Sequence, residues 1–182
     1  MKIAYLFRVD VDDLAKALEE NPQLWDQNTA RTAPPESPHH GLSDIWARYA
    51  APGVDGSGPH KSVWYDSALT KPLMSIADEL MEQLQGQTLG GVLITRIPPG
   101  GECKPHRDPG WHARYYEKIA VQVKSWPGQA FHFIGEKFAG RPGDCYWFDN
   151  SHEHWVPNPT QHERITAIFC IKTDLFDNWK DK

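Results

Sequence analysis

The sequence predicts a mainly β fold of the α+β type, in which short strands form a sandwich or barrel next to a helical flank. Two observations carry this prediction. From Gly91 onward, short runs rich in β-branched and aromatic residues alternate with turn signals made of Gly and Pro. Before that point, two segments repeat apolar residues at helical spacing.

The first of these helical segments follows a predicted strand at residues 3–9, and its N-cap is expected at Asp10. Thr70 is expected to cap the second segment, which has Pro72 in its first turn and is expected to end at Gly86. Its apolar stripe predicts that the helix lies against the outside of a sheet.

Residues 26–62 are interpreted as the least regular part of the chain, because prolines and glycines punctuate them. The segment nevertheless carries aromatic residues that something must cover. It is therefore either a lid over a substrate or an aromatic-stapled surface loop, and the sequence leaves both open. Its three histidines are interpreted as solvated loop residues: His39, His40 and His60.

The remaining pattern predicts strands at 92–97, 119–123, 130–134, 135–138, 145–148 and 164–172. We expect one domain over residues 1–182, with a mixed flank at 1–90 and a β core at 91–175.

Composition excludes several classes of protein. The chain has 182 residues and a formal charge of −5, which disfavours a broad nucleic-acid-binding surface. No apolar run reaches the about 20 residues of a membrane span, and the N-terminal apolar segment is too short for a signal peptide, so we expect a cytoplasmic protein with no membrane partner. The three cysteines show no C-x-x-C spacing, which predicts buried thiols rather than a disulfide framework or zinc ribbon.

The chemistry is concentrated in two separated stretches, His106-Arg107-Asp108 and Ser151-His152-Glu153-His154. If Arg107 is extended, His106 and Asp108 point to the same side. Two imidazoles and one carboxylate on one face of an ion leave three positions open, as in the facial triad of non-haem Fe(II) oxygenases. A His-x-Asp tripeptide alone is weak evidence for a metal site, because a histidine and an aspartate close together on the surface need no metal.

An arginine opens the last predicted strand and shares one face with Thr166, Ile168 and Cys170. An arginine buried there needs an anionic partner. A dicarboxylate co-substrate would supply one through forked hydrogen bonds to Arg164. The alternative is a structural ion pair with Asp149 or Glu163.

About residues 90–175 resemble the iron- and 2-oxoglutarate-dependent dioxygenases, and specifically their aspartyl/asparaginyl β-hydroxylase-like branch. The matching motifs are Arg96–Gly101, His106–Asp108, Trp126–Gly128, Arg141–Asp144, Trp147–Ser151, His154 and Glu163–Ile165. The resemblance implies a double-stranded β-helix (a jelly roll, cupin-like) with flanking helices on one side. It also implies a hydroxylase that uses Fe(II), 2-oxoglutarate and O2, releases succinate and CO2, and acts on an amino-acid, peptide or protein substrate.

The resemblance implies particular roles as well. His106, Asp108 and His154 would bind the iron, with His154 preferred over His152 because of its Asp-Asn-Ser-x-x-His context, and Arg164 would bind 2-oxoglutarate. The animal enzymes lack the carboxylate ligand that Asp108 supplies here, and their second co-substrate histidine falls near Ala120. A replacement polar contact is expected from Lys118, Gln122, Trp147 or Tyr116. Substrate contacts are expected from Trp64, Tyr65, His112, Arg114 and Tyr116.

Two other functions compete with the dioxygenase. The first is a cupin-like isomerase or sugar-binding module with Zn or Mn on the same ligands, which has no need for Arg164 in its pocket. The second is a non-catalytic jelly-roll binding module with vestigial ligands. The intact set of His106, Asp108, His154 and Arg164 argues against this module.

Overall fold

The computed structural model describes residues 1–179. The helices of this part are α1 (Asp12–Glu20), α2 (Thr70–Gln83) and α3 (Gly110–Tyr115), with a short 3-10 helix at Pro22–Leu24. The strands are β1 (Ile3–Arg8), β2 (Ser43–Ala50), β3 (Ser62–Trp64), β4 (Thr88–Ile97), β5 (Glu102–His106), β6 (Glu117–Lys124), β7 (Phe131–Phe133), β8 (Glu136–Phe138), β9 (Asp144–Phe148), β10 (His154–Pro157) and β11 (Arg164–Lys172).

The strands form two antiparallel sheets that pack face to face. The larger sheet has seven strands in the order β1-β9-β6-β11-β4-β2-β3, and the smaller has four in the order β5-β10-β7-β8. One apolar cluster joins their inner faces through residues such as Ala120 and Tyr146 of the large sheet and Phe131 and Val156 of the small one. This arrangement confirms the predicted mainly β, jelly-roll fold.

Both longer helices cover the outer face of the large sheet, which confirms the predicted position of the flanking helices. The buried stripe of α2, from Leu73 to Leu80, packs in one cluster with Ile119, Val121 and Phe169 of the strands beneath it. The central strands are therefore buried on both faces: one face meets the helices, and the other meets the interior between the sheets.

The structure corrects three details of the flank. The N-cap of α1 is Val11, while Asp10 accepts a hydrogen bond from the backbone of Asp12 at 2.9 Å. Thr70 lies inside α2, with Leu69 at the cap position. The segment 26–62 is not irregular throughout, because β2 pairs with β4 and adds the flank to the main sheet.

A buried ion pair joins β2 to the loop before it. The Asp44 side chain is fully buried and accepts hydrogen bonds from Arg31 Nε at 2.8 Å and Nη2 at 3.1 Å. The Thr95 hydroxyl on β4 donates to the same carboxylate at 2.9 Å. Asp44 therefore connects the 26–42 loop to two strands of the large sheet.

We expect Asp44→Ala to lower the free energy of unfolding by about 3 kcal/mol, because Arg31 would keep a largely buried charge without its partner. Chemical denaturation of the purified protein measures this loss. As a control, Glu20→Ala removes an exposed pair with Lys16 that spans 3.9 Å, and it should change stability by less than about 0.5 kcal/mol. Equal losses of unfolding free energy in the two variants would show that the buried pair contributes no more to stability than the exposed pair.

Candidate active site

The two sheets enclose a cavity of about 600 Å³. Its walls come from inward-facing residues of both sheets, and the 26–42 loop and α3 complete them. Alternation along β11 places Arg164, Thr166, Ile168 and Cys170 on this wall, as the sequence predicts.

Three side chains of the predicted metal set meet on the cavity wall. His106 ends β5, Asp108 follows two residues later, and His154 begins β10 directly opposite His106 in the antiparallel ladder. Their ligand atoms all lie within 4.8 Å of one another. His106 Nε2 and Asp108 Oδ1 are 3.4 Å apart, and the two imidazole rings have centroids 4.3 Å apart.

The local backbone explains why these residues converge. The Asp108 backbone N–H donates to the Asn150 carbonyl at 3.1 Å, which joins the loop after β5 to the loop before β10. Gly110 has a φ of 89°, in the left-handed region that favours glycine, and it allows the chain to turn into α3 directly after Asp108.

Both imidazoles are held in the tautomer that a metal ligand needs. His106 Nδ1 donates to the Lys104 carbonyl at 2.7 Å, and His154 Nδ1 donates to the His152 carbonyl at 2.9 Å. A carbonyl can only accept a hydrogen bond, so each Nδ1 carries the proton. In the neutral form of each ring, Nε2 therefore carries the free lone pair, on the side of the cluster.

The electrostatics of the cluster favour a cation. Burial opposes ionisation of Asp108, but its hydrogen bond with His106 and the nearby charge of Lys118 hold the pKa of Asp108 well below its usual range. Burial likewise disfavours a charged His106, yet the hydrogen bonds with Asp108 and Cys103 raise the pKa of His106 to about 10. Burial lowers the pKa of His154 and keeps this imidazole neutral.

Arg164 is buried on the same wall, and no acid in the described part of the chain pairs with it. Its Nη1 donates to the Thr166 hydroxyl at 2.7 Å, and its Nη2 donates to the Tyr146 hydroxyl at 3.1 Å. The two acids considered as partners bond elsewhere: Glu163 to Lys124 at 3.0 Å and Asp149 to His152 at 3.1 Å. Within residues 1–179 no carboxylate forms an ion pair with Arg164, so its charge is available to an anion entering the cavity.

The other residues expected near the co-substrate lie in different places. Lys118 lines the cavity, and its ammonium group is 3.3 Å from the Cys170 sulfur. Gln122 lies behind the wall, where its amide donates to the Ile165 and Lys124 carbonyls. Trp147 faces the helices instead, stacked on Phe176 and bonded to Glu117, so its position does not fit a co-substrate contact.

Only one of the residues expected to contact the substrate lines the cavity, namely His112, whose Nε2 accepts from the Gly91 backbone at 3.3 Å. Arg114 is exposed on α3, and Tyr116 is buried beside it without reaching the wall. Trp64 lies against the Arg48 guanidinium, and the Tyr65 hydroxyl donates to the Ala50 carbonyl. These four residues are not brought into the cavity.

Several wall residues were missed by sequence reasoning. Tyr146 lies two residues before the inward-facing Phe148, on a strand whose five residues are all buried, so no alternation of polarity marks it. Arg31 and His39 come from the segment interpreted as irregular, and no local pattern marks them. His39 is buried rather than solvated, and its ring meets the His106 ring edge-on with centroids 4.7 Å apart.

A jelly roll with two histidines, one carboxylate and a buried arginine around one cavity has the features of the non-haem metal oxygenase class. The sequence profile of the aspartyl/asparaginyl beta-hydroxylase family matches residues 12–173, and the chain belongs to this family. This membership confirms the predicted family and the predicted enzyme class, a hydroxylase. A search of curated protein sequences finds no match.

Solved structures with the same fold include three oxygenases. A 2OG-Fe(II) oxygenase family protein from Burkholderia pseudomallei is 13% identical, with a TM-score of 0.66 over 94% of this chain and 85% of that one. A prolyl-4-hydroxylase from Pseudomonas putida is 15% identical, with a TM-score of 0.57 over 94% and 92%. The viral collagen prolyl hydroxylase of Paramecium Bursaria Chlorella virus-1 is 14% identical, with a TM-score of 0.54 over 95% and 97%.

No helix within residues 1–179 combines the length and apolar character needed to cross a membrane.

Proposed function

We propose that this chain is an Fe(II)- and 2-oxoglutarate-dependent dioxygenase that hydroxylates a C–H bond of an amino acid or of a peptide or protein side chain. The observation that carries the proposal is the buried Arg164, which pairs with no acid within residues 1–179 and shares a cavity with the His106, Asp108 and His154 cluster. A metal-binding isomerase or a binding module does not need this uncompensated guanidinium.

The donor set fits Fe(II). Two imidazole nitrogens and one carboxylate oxygen lie within 4.8 Å of one another, and their residues line the cavity. This set leaves the positions that a chelating co-substrate and O2 require. Bound iron would supply the oxygen chemistry, and the protein fixes its ligands through the Lys104 and His152 carbonyls.

Arg164 would bind the distal carboxylate of 2-oxoglutarate. The Tyr146 and Thr166 hydroxyls hold the guanidinium, and Gln122 in turn accepts a hydrogen bond from Thr166 at 3.4 Å. Gln122 is therefore proposed to support the co-substrate site from behind rather than to touch the ligand. Lys118 adds positive charge to the same cavity and favours dianionic 2-oxoglutarate.

Several apolar side chains line the cavity that holds the metal cluster and Arg164, and they disfavour water there. Ala120, Ile168 and Phe131 line the cavity together with Phe148, whose ring centroid is 5.5 Å from that of His154. Low polarity there strengthens the attraction between Arg164 and a carboxylate.

The substrate is proposed to meet a wall of aromatic and basic residues formed by Trp46, Arg48, Tyr49 and His112. Burial lowers the pKa of His112 to about 3, which leaves this ring neutral and able to donate or accept a hydrogen bond. Rings with a few polar groups suit the side chain and backbone amides of an amino acid or peptide. The loop at residues 30–39 adds another part of the wall and would cover a bound substrate.

The purified chain is expected to convert 2-oxoglutarate to succinate only when Fe(II) and O2 are both present, with slow uncoupled turnover even without substrate. A chelator should abolish succinate formation and added Fe(II) should restore it, because the metal is held by three side chains that face an open cavity. Chromatographic measurement of succinate tests this expectation. Undiminished formation in chelator would contradict the proposal. Incubating a lysate with the enzyme and searching by mass spectrometry for the gain of one oxygen atom would then identify the substrate.

A further inference from the structure

A second group of ligand atoms lies directly behind the proposed iron site. It consists of His39, Cys103 and His106, whose ligand atoms all lie within 4.8 Å of one another. The Cys103 sulfur is 3.2 Å from His39 Nδ1 and 3.9 Å from His106 Nδ1. His39 and Cys103 are both buried, and both reach the wall of the cavity.

The ring of His106 belongs to both groups through different nitrogens. Its Nε2 faces Asp108 at 3.4 Å, and its Nδ1 faces Cys103 and the Lys104 carbonyl. The His106 imidazole is therefore shared by two ligand sets. One set has nitrogen and oxygen ligands, and the other has nitrogen and sulfur ligands.

The spacing of the second group suits a tetrahedral ion. With metal distances of about 2.3 Å to sulfur and about 2.0 Å to nitrogen, tetrahedral geometry separates the two ligand atoms by about 3.5 Å. The observed sulfur-to-nitrogen distances, 3.2 Å and 3.9 Å, lie on either side of this value. One thiolate with two imidazoles is a ligand set for Zn²⁺ and other thiophilic ions rather than for Fe(II).

The backbone already holds these ligands in place. Cys103 is on β5, and the Lys104 backbone N–H donates to the Pro38 carbonyl at 2.8 Å, which fixes the loop carrying His39 against that strand. The Ser37 hydroxyl accepts a hydrogen bond from the His39 backbone N–H at 3.1 Å. An ion would therefore find two of its three ligands already fixed beside each other.

We propose that His39, Cys103 and His106 form a site for a thiophilic divalent cation such as Zn²⁺, and that this ion antagonises metal binding at His106, Asp108 and His154. Binding releases two protons to solvent, one from the Cys103 thiol and one from His106 Nδ1, and it breaks the bond from His106 Nδ1 to the Lys104 carbonyl. A neutral imidazole with a metal on Nδ1 keeps its proton on Nε2. That nitrogen then has no lone pair for iron. The antagonism rests on the proposed function, whereas the site itself does not.

Co²⁺ is the probe for this site, because a thiolate bound to Co²⁺ gives a charge-transfer absorption in the near ultraviolet that nitrogen and oxygen ligands do not give. The wild-type chain should show this band on titration, and added Zn²⁺ should remove it. Cys103→Ser and His39→Gln should lose or greatly weaken the band. Cys170→Ser, which changes the other thiol on the cavity wall, should keep it.

Co²⁺ bound without a thiolate band to His154→Ala, which keeps all three ligands of this site and lacks one ligand of the other, would overturn the proposal. A band that Cys170→Ser removes and Cys103→Ser retains would also overturn it. In the succinate assay, Zn²⁺ should inhibit the wild type at an at least tenfold lower concentration than it inhibits Cys103→Ser. Succinate formation without the thiolate band would refute the proposed second metal site alone. The thiolate band without succinate formation would refute the proposed dioxygenase function alone.

Discussion

His154→Ala is expected to abolish iron-dependent succinate formation. The variant leaves one imidazole and one carboxylate at the cluster, with nothing on β10 to complete the set. Losing a ligand worth about 4 kcal/mol corresponds to a fall of about a thousandfold in metal affinity. Succinate formation is measured at a fixed Fe(II) concentration, and iron affinity is measured by direct titration. Both the activity and the affinity should fall in this variant.

The neighbouring histidine provides a matched control. His152 is two residues earlier and half-buried, and its ring bonds to Asp149 at 3.1 Å instead of joining the cluster. His152→Ala keeps the backbone carbonyl that orients His154, so activity should stay within about threefold of the wild type. If His152→Ala lost iron and His154→Ala kept it, the ligand assignment would be wrong.

This pair of residues shows where sequence reasoning reaches its limit. His152 and His154 have the same parity along the chain, so strand alternation cannot choose between them, and only the resemblance favoured His154. The structure separates them because β10 begins at His154, opposite His106 in the ladder. His152 precedes the strand in a turn that Asp149 stabilises.

A related physical limit applies to Trp147, which was predicted near the co-substrate although it lies on the face of β9 that the helices cover. All five residues of β9 are buried, because helices cover one face of the strand and the cavity wall covers the other. A strand buried on both faces shows no alternation of polarity, so its sequence does not reveal which side chains point inward. Tyr146, the immediate neighbour, is the residue that reaches Arg164.

Six strands of the C-terminal half were predictable because each is a short apolar run closed by Gly or Pro turns. β5 and β10, which carry the two histidines of the metal cluster, were not predicted, because they are not such runs. β2 was not predicted either, because Asp44 interrupts its apolar pattern and a bulge lies between Trp46 and Arg48. This strand depends on pairing with β4, which is distant in sequence. The same distance hides His39, whose burial depends on contact with β5 rather than on any local feature.

Arg164→Ala should raise the KM for 2-oxoglutarate by about 100-fold. Forked hydrogen bonds from a buried guanidinium to a carboxylate contribute about 3 kcal/mol, which is about two powers of ten in affinity. Arg164→Lys should recover only part of this loss, since an ammonium group cannot reproduce the planar fork. Iron binding should stay near the wild-type value in both variants, because Arg164 is not among the metal ligands.

The thermal stability of a further variant, Arg164→Met, separates a ligand-binding role of Arg164 from a structural one. Arg164 bonds to the Tyr146 and Thr166 hydroxyls and, in the described chain, to no acid. Its replacement by Met removes a buried charge that folding must desolvate, so the melting temperature without 2-oxoglutarate should be unchanged or higher. 2-Oxoglutarate should raise the melting temperature of the wild type and of Arg141→Ala, an exposed arginine outside the cavity, but not that of Arg164→Met. If Arg164→Met lost both stability and metal, the arginine would be a part of the core and 2-oxoglutarate would need another anchor.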